Sequence, residues 1–159
     1  MSNHRKIHVV LRNPKPVSVN RMYTPGRNGR KFLSAEGKHF KDSLKKVIAR
    51  KLLESEYLWT ETQDLVYRSG YCTRLRIDLF LETVTNNSWK PGGGTTSKGA
   101  PRSPFKRIDG SNYAKIIEDA VSEGTGIDDS CNMTVTIHKA ECPDDPRVEV
   151  TFEVVPYER

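Results

Sequence analysis

The segment Lys106–Ser130, KRIDGSNYAKIIEDAVSEGTGIDDS, combines a clear helix pattern with the chain's most chemically suggestive residues. The pattern predicts an amphipathic helix that starts near Ser111 and ends before Gly124 or Gly126. Its apolar residues recur at three-to-four spacing: Tyr113, Ile116, Ile117, Ala120 and Val121. A helix of this kind between alternating segments predicts a protein that packs helices on a sheet.

A polar stripe runs beside the apolar stripe of this helix. At about 100° per residue, with Asn112 at 0°, Lys115 lies at about 300° and Asp119 at about 340°. An amide, an amine and a carboxylate are therefore expected on one surface. Lys115 and Asp119 also have the spacing of a simple i,i+4 salt bridge, and that alternative stays open.

Three aspartates flank the helix: Asp109 precedes it, and Asp128 and Asp129 follow the glycine turn. A helix of about twelve residues spans roughly 18 Å, so they meet only if the chain doubles back. Asp109 as a helix cap, and the pair as solvated turn residues, are the simpler alternatives. If they converge, their mutual repulsion favours Mg²⁺, which can activate a water for attack on phosphorus, while Lys115 stabilises the developing negative charge.

Outward from this segment, the periodicities predict four strands and a second helix. Ser34 stands as an N-cap before a helix from about 35 to 53. Alternating residues predict strands at 7–11, 75–82, 133–137 and 148–154, the last two as an antiparallel hairpin around CPDDP. The order β-α-β-α-β-β predicts an α/β (α+β) fold, a small mixed β-sheet with two main helices.

Three segments lack a sustained period. SVNRMYTPGRNGRKFL (18–33) is interpreted as a basic loop, and residues 54–70 as an extension or insertion. Residues 86–106, rich in Gly, Pro and Ser, predict a flexible loop. Their triple glycine lacks the Gly-Lys-Ser/Thr of a phosphate-binding loop. The length favours one domain, 1–159.

Charge is unevenly distributed along the chain. The net charge is +6, and residues 1–51 carry fourteen Lys and Arg against two acids, whereas residues 108–159 carry twelve acids against four bases. A basic surface indicates a polyanionic partner such as nucleic acid. A solvated face kept charged for solubility is the alternative.

The cysteines and the hydropathy limit the cellular setting. Cys72, Cys131 and Cys142 are odd in number and have no zinc-ligand spacing, so neither a zinc site nor a disulfide framework is indicated. No apolar run approaches the roughly 18 residues that span a bilayer, and the N-terminal residues lack a signal-peptide core. We therefore expect a cytoplasmic protein, bacterial or phage-encoded, with no membrane partner.

The motifs resemble the RusA family of Holliday junction resolvases. In that family an arginine-rich segment is followed by the motif D-x-D-N-x-x-K-x-x-x-D-A and then by a D-D pair. In this chain KRIDGSN (106–112) is followed by Lys115, Asp119-Ala120 and Asp128-Asp129. SVNRMY (18–23) and GRKFLSAEGKHFKDSLKKVI (29–48) resemble the family's S-x-N-R-x-Y and G-R-x-x-x-S-x-E-G motifs. The resemblance covers most of the chain in family order.

The resemblance implies a Mg²⁺-dependent homodimeric endonuclease, with Mn²⁺ as a substitute, that makes paired nicks across a four-way junction in DNA recombination and repair. It makes Asp109 and Asp129 the catalytic metal carboxylates, Asp128 a supporting acid that also faces the metal, and Lys115 the catalytic amine. Further support is expected from Ser111, Asn112 and Asp119. DNA contacts, mainly to phosphates, are expected from Asn20, Arg21, Arg27, Arg30, Lys31, Lys106 and Arg107. Tyr23 either stacks on an unpaired base at the crossover or simply packs, and packing is slightly favoured.

Ser111 is the departure from the family pattern, which has an aspartate there. A serine hydroxyl is a weaker, neutral ligand, so a catalytically weakened module that binds branched DNA is the alternative function. A structural or RNA-binding protein is a third class. It would show no preference for a junction over linear duplex at matched salt.

Overall fold

The computed structural model describes residues 5–12, 23–25, 31–54, 59–68, 70–86, 89, 91, 103–104 and 110–158. The mixed α+β class predicted from the sequence is confirmed. In chain order the elements are β1 (Arg5–Arg12), β2 (Tyr23–Pro25), β3 (Lys31–Leu33), α1 (Ala35–Leu53), α2 (Trp59–Arg68), β4 (Tyr71–Leu81), α3 (Gly110–Thr125), a 3-10 turn (Asp129–Cys131), β5 (Asn132–Glu141) and β6 (Arg147–Pro156).

The main sheet has four strands in the order β1-β6-β4-β5, and β2 pairs with β3 in a separate antiparallel pair. β6 is antiparallel to both β1 and β4, whereas β4 and β5 are parallel. Parallel neighbours need a long crossover, and α3 lies in the connection between these two strands. The buried face of α3 lies in the same core cluster as residues of β4 and β6.

The predicted antiparallel hairpin of the two C-terminal strands is wrong, because β4 lies between β5 and β6. Both segments alternate, and alternation identifies a strand's buried face without identifying its neighbour. β6 is central, and its Val148 and Val150 are buried. β5 is an edge strand and leaves Met133 55% and Val135 37% exposed.

The core lies between the sheet and the helices, with buried residues from β1, β4, β6, α1 and α3 in one cluster. α1 begins as predicted: the Ser34 Oγ accepts a hydrogen bond of 3.0 Å from the Gly37 N–H. α1 and α3 approach closely because Gly124 has no side chain; a Cβ there would lie 2.9 Å from Ile48 Cγ2. The contact orients the exposed face of α3.

Two short strands and one helix were missed by the sequence prediction. The basic loop 18–33 contains the strands β2 and β3, and the unassigned region 54–70 contains α2. The predicted loop 86–106 lies mostly outside the described residues. Its two ends meet, because the Asn86 N–H donates to Pro104 O at 2.7 Å and Asn86 Nδ2 donates to Ser103 O at 2.9 Å.

In the part of the chain that the structure describes, no helix is long and apolar enough to pass through a lipid bilayer.

Candidate active site

The exposed stripe of α3 lies beside its buried face, as helix geometry predicted. Ile116, Ile117 and Ala120 are buried, Lys115 is exposed and Asp119 is half-buried. Among the described side chains Lys115 and Asp119 do not form an ion pair within 4 Å, so the salt-bridge alternative is wrong. Lys115 is therefore not neutralised by its helical neighbour.

Tyr23 brings β2 to this stripe. Its ring packs against the core, and burial raises the pKa of its hydroxyl, with a further increase from the Asp119 carboxylate. Lys115 and then Lys41 lower that pKa, so both cations also lie within electrostatic range. Tyr23, the last residue of the SVNRMY motif, therefore lies within electrostatic range of Lys115 and Asp119 on α3.

Asp128 and Asp129 follow α3 in a short segment that we call the aspartate turn (residues 125–130). Asp128 caps the 3-10 turn, because its Oδ1 accepts a 2.9 Å hydrogen bond from the Ser130 N–H. Bonds from the Ser130 side chain and backbone, and from Asp129, hold the pKa of Asp128 below its usual range. Asp128 is therefore ionised at neutral pH, and both aspartates are exposed.

One face of α2 holds the aspartate turn in place, and we call it the α2 face: Trp59, Gln63 and Tyr67. Trp59 Nε1 and Gln63 Nε2 donate to the Thr125 carbonyl, the latter at 2.7 Å. Tyr67 Oη donates to the Gly126 carbonyl at 3.3 Å and accepts from the Asp128 N–H at 2.8 Å. The sequence prediction missed these residues, although their spacing of four was a helical signal.

Several predicted site residues cannot be placed. Ser111 and Asn112 lie in the first turn of α3 and Lys31 in β3, by backbone alone. The remaining ones fall outside the described residues: Asn20, Arg21, Arg27, Arg30, Lys106, Arg107 and Asp109. Whether Asp109 approaches Asp129 therefore stays a prediction.

The donor set fits a hard divalent cation. Asp128 and Asp129 offer exposed carboxylate oxygens, which Mg²⁺ prefers, and Asp128 is held ionised. Within the described ranges no three His, Cys, Asp or Glu side chains form a group that could hold a metal on their own. A site here thus needs a further ligand, and Asp109 is the residue that the sequence motif supplies.

Fold and site together define a small, basic, mixed α+β protein with exposed carboxylates and a free amine around one helix. The family model described as "Endodeoxyribonuclease RusA" matches residues 13–153. The chain belongs to the RusA endodeoxyribonuclease family, as its motifs predicted, and membership implies an endonuclease that resolves Holliday junctions.

Other comparisons add little. No curated protein matches the chain. Among solved structures, the crystal structure of 2C-methyl-D-erythritol 2,4-cyclodiphosphate synthase from Plasmodium vivax is similar with a TM-score of 0.28 and 11% identity, covering 98% of this chain and 95% of that one. A likeness of this size carries no argument about fold or function.

Proposed function

We propose that this protein is a structure-selective endodeoxyribonuclease that resolves Holliday junctions or other branched DNA by Mg²⁺-dependent phosphodiester hydrolysis, in DNA recombination and repair. The observation that carries the proposal is the family match over residues 13–153, which spans every site residue named above. The exposed Lys115 and the ionised Asp128 give that match a chemically suitable surface.

In the proposed mechanism Asp109, Asp128 and Asp129 would hold a Mg²⁺ ion, which would supply Lewis-acid chemistry for phosphodiester hydrolysis. Lys115 stabilises the negative charge that develops on the non-bridging oxygens of the phosphate. Its freedom from an ion pair with Asp119 supports this role, because a neutralised ammonium would contribute less.

The DNA backbone is proposed to approach from the β2–β3 side. Tyr23 lies within electrostatic range of Lys115, and the segment 26–30, which carries Arg27 and Arg30, connects β2 to β3. Phosphate contacts from these arginines would position the strand without reading its sequence. Arg107, two residues before Asp109, is proposed to guide the scissile phosphate.

The test uses a labelled four-way junction and a Mg²⁺ titration. Asp109→Asn is expected to abolish nicking while junction binding stays nearly intact, because the charge that holds the metal is lost and the basic surface is not. Asp144→Asn, an exposed acid in the β5–β6 connection, is the matched control and should cut normally. Unchanged nicking by Asp109→Asn would contradict the assignment of Asp109 as a ligand of the catalytic metal ion.

A second candidate function rests on Ser111, which stands in the first turn of α3 where the family pattern has an aspartate. In this alternative the chain binds branched DNA and cuts weakly. Binding without nicking at millimolar Mg²⁺, together with a gain of nicking in Ser111→Asp, would favour it over the leading proposal.

We also propose a homodimer, because paired nicks in a two-fold-symmetric junction need two active sites related by two-fold symmetry. Sedimentation velocity on the DNA-free protein tests this. A monomer at micromolar concentration that still makes paired nicks would contradict a preformed dimer.

A further inference from the structure

The α2 face consists of three side chains at positions 59, 63 and 67. A spacing of four places them on the same side of a helix, so they reach the aspartate turn together. Each makes a hydrogen bond to the backbone of residues 125–128. The RusA motifs quoted above include none of these three residues.

The first contact is at the end of α3. Thr125 is the last residue of the helix, and the final carbonyls of a helix have no partner within it. Here the Thr125 carbonyl accepts from both Trp59 Nε1 and Gln63 Nε2, and the Thr125 side chain is buried. The point at which the chain leaves α3 is therefore set by two donors from α2.

The next residue, Gly126, restricts the backbone conformation of the aspartate turn. Gly126 has a φ of +70°, which favours glycine, and its N–H bonds back to Ser122 O at 2.8 Å. A Cβ at this position would overlap Gln63 Nε2. The path of the backbone into the aspartates is thus enclosed by the α2 face.

The last contact reaches an aspartate directly. The Tyr67 hydroxyl bridges the Gly126 carbonyl and the Asp128 N–H, and this phenol is 54% exposed rather than part of the core. Tyr67 accepts from the Asp128 N–H, the Asp128 carbonyl accepts from the Cys131 N–H, and the Asp128 carboxylate accepts from the Ser130 N–H, so the direction of the Asp128 carboxylate is constrained.

We infer that the α2 face positions the aspartates for the metal ion, with Tyr67 as the residue that orients the Asp128 peptide. The inference rests on the proposed function, because it assigns α2 to the same metal site. Tyr67 is a positioning residue: it acts through the backbone of Asp128. Residues that orient metal ligands in this way typically contribute 10- to 100-fold to metal affinity or activity.

The test compares Tyr67→Phe with Tyr157→Phe, since each removes one exposed hydroxyl and Tyr157 is 47% exposed. In the metal-free protein, NMR should show faster hydrogen exchange of the Asp128 amide in Tyr67→Phe alone. Calorimetric titration with Mn²⁺, without DNA, should show binding weakened about tenfold in Tyr67→Phe and unchanged in Tyr157→Phe.

Cleavage of a four-way junction provides the kinetic readout. Tyr67→Phe should raise the Mg²⁺ concentration for half-maximal cutting, while kcat at saturating Mg²⁺ stays within about threefold, because the ligands themselves remain. A general loss of structure would lower kcat as well. Gln63→Met removes the amide that donates to the Thr125 carbonyl. This variant should also raise the Mg²⁺ concentration for half-maximal cutting.

The outcomes separate the two proposals. If the unaltered protein binds Mn²⁺ and cuts, but Tyr67→Phe has the same Mn²⁺ affinity, the positioning role is overturned and the nuclease assignment stands. If the unaltered protein binds no Mn²⁺ and makes no nicks, the proposed function is overturned, and the positioning role with it.

Discussion

The two sides of the candidate site are built differently. On one side, four hydrogen bonds hold the backbone of the aspartate turn: the α2 face donates three of them, and Tyr67 accepts the fourth from the Asp128 N–H. On the other side, the β2–β3 pair has only three residues per strand, and among its described side chains a 3.4 Å bond runs from Thr24 Oγ1 to Phe32 O. Two-stranded ribbons of this length are marginally stable on their own. Under the proposed function, the difference corresponds to preorganisation on the side assigned to the metal ion and a less constrained surface on the side assigned to DNA.

The largest expected effect comes from removing a charge on the strongly held side. Asp129→Asn is expected to lower the nicking rate by about 10³-fold, since one preorganised electrostatic group contributes at most about that much, with junction affinity unchanged. Single-turnover cleavage and a binding titration in Ca²⁺ measure the two quantities. Comparable losses of cutting and of binding would show that Asp129 holds DNA or the fold rather than the metal.

Next in size is the amine between the two sides. Lys115→Met keeps the aliphatic length and is expected to lower the single-turnover rate by about 10²-fold at saturating DNA. Lys46→Met, on the exposed side of α1, is the control for the loss of one positive charge. Equal single-turnover cleavage rates in the two variants would show that Lys115 has no catalytic role.

The rigidity of the aspartate turn can be measured as stability. Gly70 and Gly126 both have a φ of +70°, but a Cβ at Gly70 would meet nothing within 4 Å, whereas one at Gly126 would overlap Gln63. Gly70→Ala is expected to cost about 1–2 kcal/mol of unfolding free energy from backbone strain alone. Gly126→Ala should cost about 1–3 kcal/mol more because of the overlap. Urea unfolding measures both losses of unfolding free energy. Equal losses would mean that the aspartate turn shifts to accommodate the added methyl group.

The smallest effect is expected on the β2–β3 side. Tyr23→Phe should change cutting at neutral pH by less than about threefold, because the ring still packs and the lost neutral hydroxyl contributes a single hydrogen bond at most. A change of tenfold or more in kcat would instead make the Tyr23 hydroxyl part of the chemistry.

The same variant gives a pH test. The folded-state pKa of Tyr23 lies above the ordinary 10.0, chiefly because of burial. The resulting stability is therefore fully present below pH 10 and is lost as the pH rises through the folded pKa. The free energy of unfolding of the unaltered protein minus that of Tyr23→Phe should be constant at pH 7–9. Above pH 10 this quantity should fall, because only the unaltered protein has the hydroxyl that ionises. A difference that grows at alkaline pH contradicts the raised pKa.

Local patterns were enough for much of the fold. The Ser34 cap and the spacing of Phe40, Leu44 and Ile48 predicted α1, and the apolar stripe of α3 predicted which side chains are exposed. Strand neighbours could not be predicted, because alternation in β5 and β6 is equally consistent with pairing to each other or to β4. α2 was missed because Trp59, Thr62 and Val66 supply only a short apolar stripe in a segment of mixed composition.

For the site, the candidate side chains could be predicted from the sequence, but the residues that hold them in position could not. Lys115 and Asp119 follow from helix geometry, and the family motif added the aspartates. The bond between the Asp128 amide and Tyr67 joins positions 61 residues apart, and no local pattern encodes such a contact. Tyr23 likewise packs against the core and comes within electrostatic range of Lys115 and Asp119, although it is far from them in the chain.

The central place of β6 has a consequence for how the protein is made. β1 precedes every other described element in the chain, and the only described strand with which it pairs is β6, with Arg5 opposite Val154. The backbone hydrogen bonds of β1 to its neighbouring strand therefore cannot form until β6 has been synthesised, and this delay leaves an unpaired strand edge during translation. A premature stop before Arg147 would leave both β1 and β4 without the strand that joins them, so truncated chains are expected to be degraded or to aggregate rather than to retain partial activity.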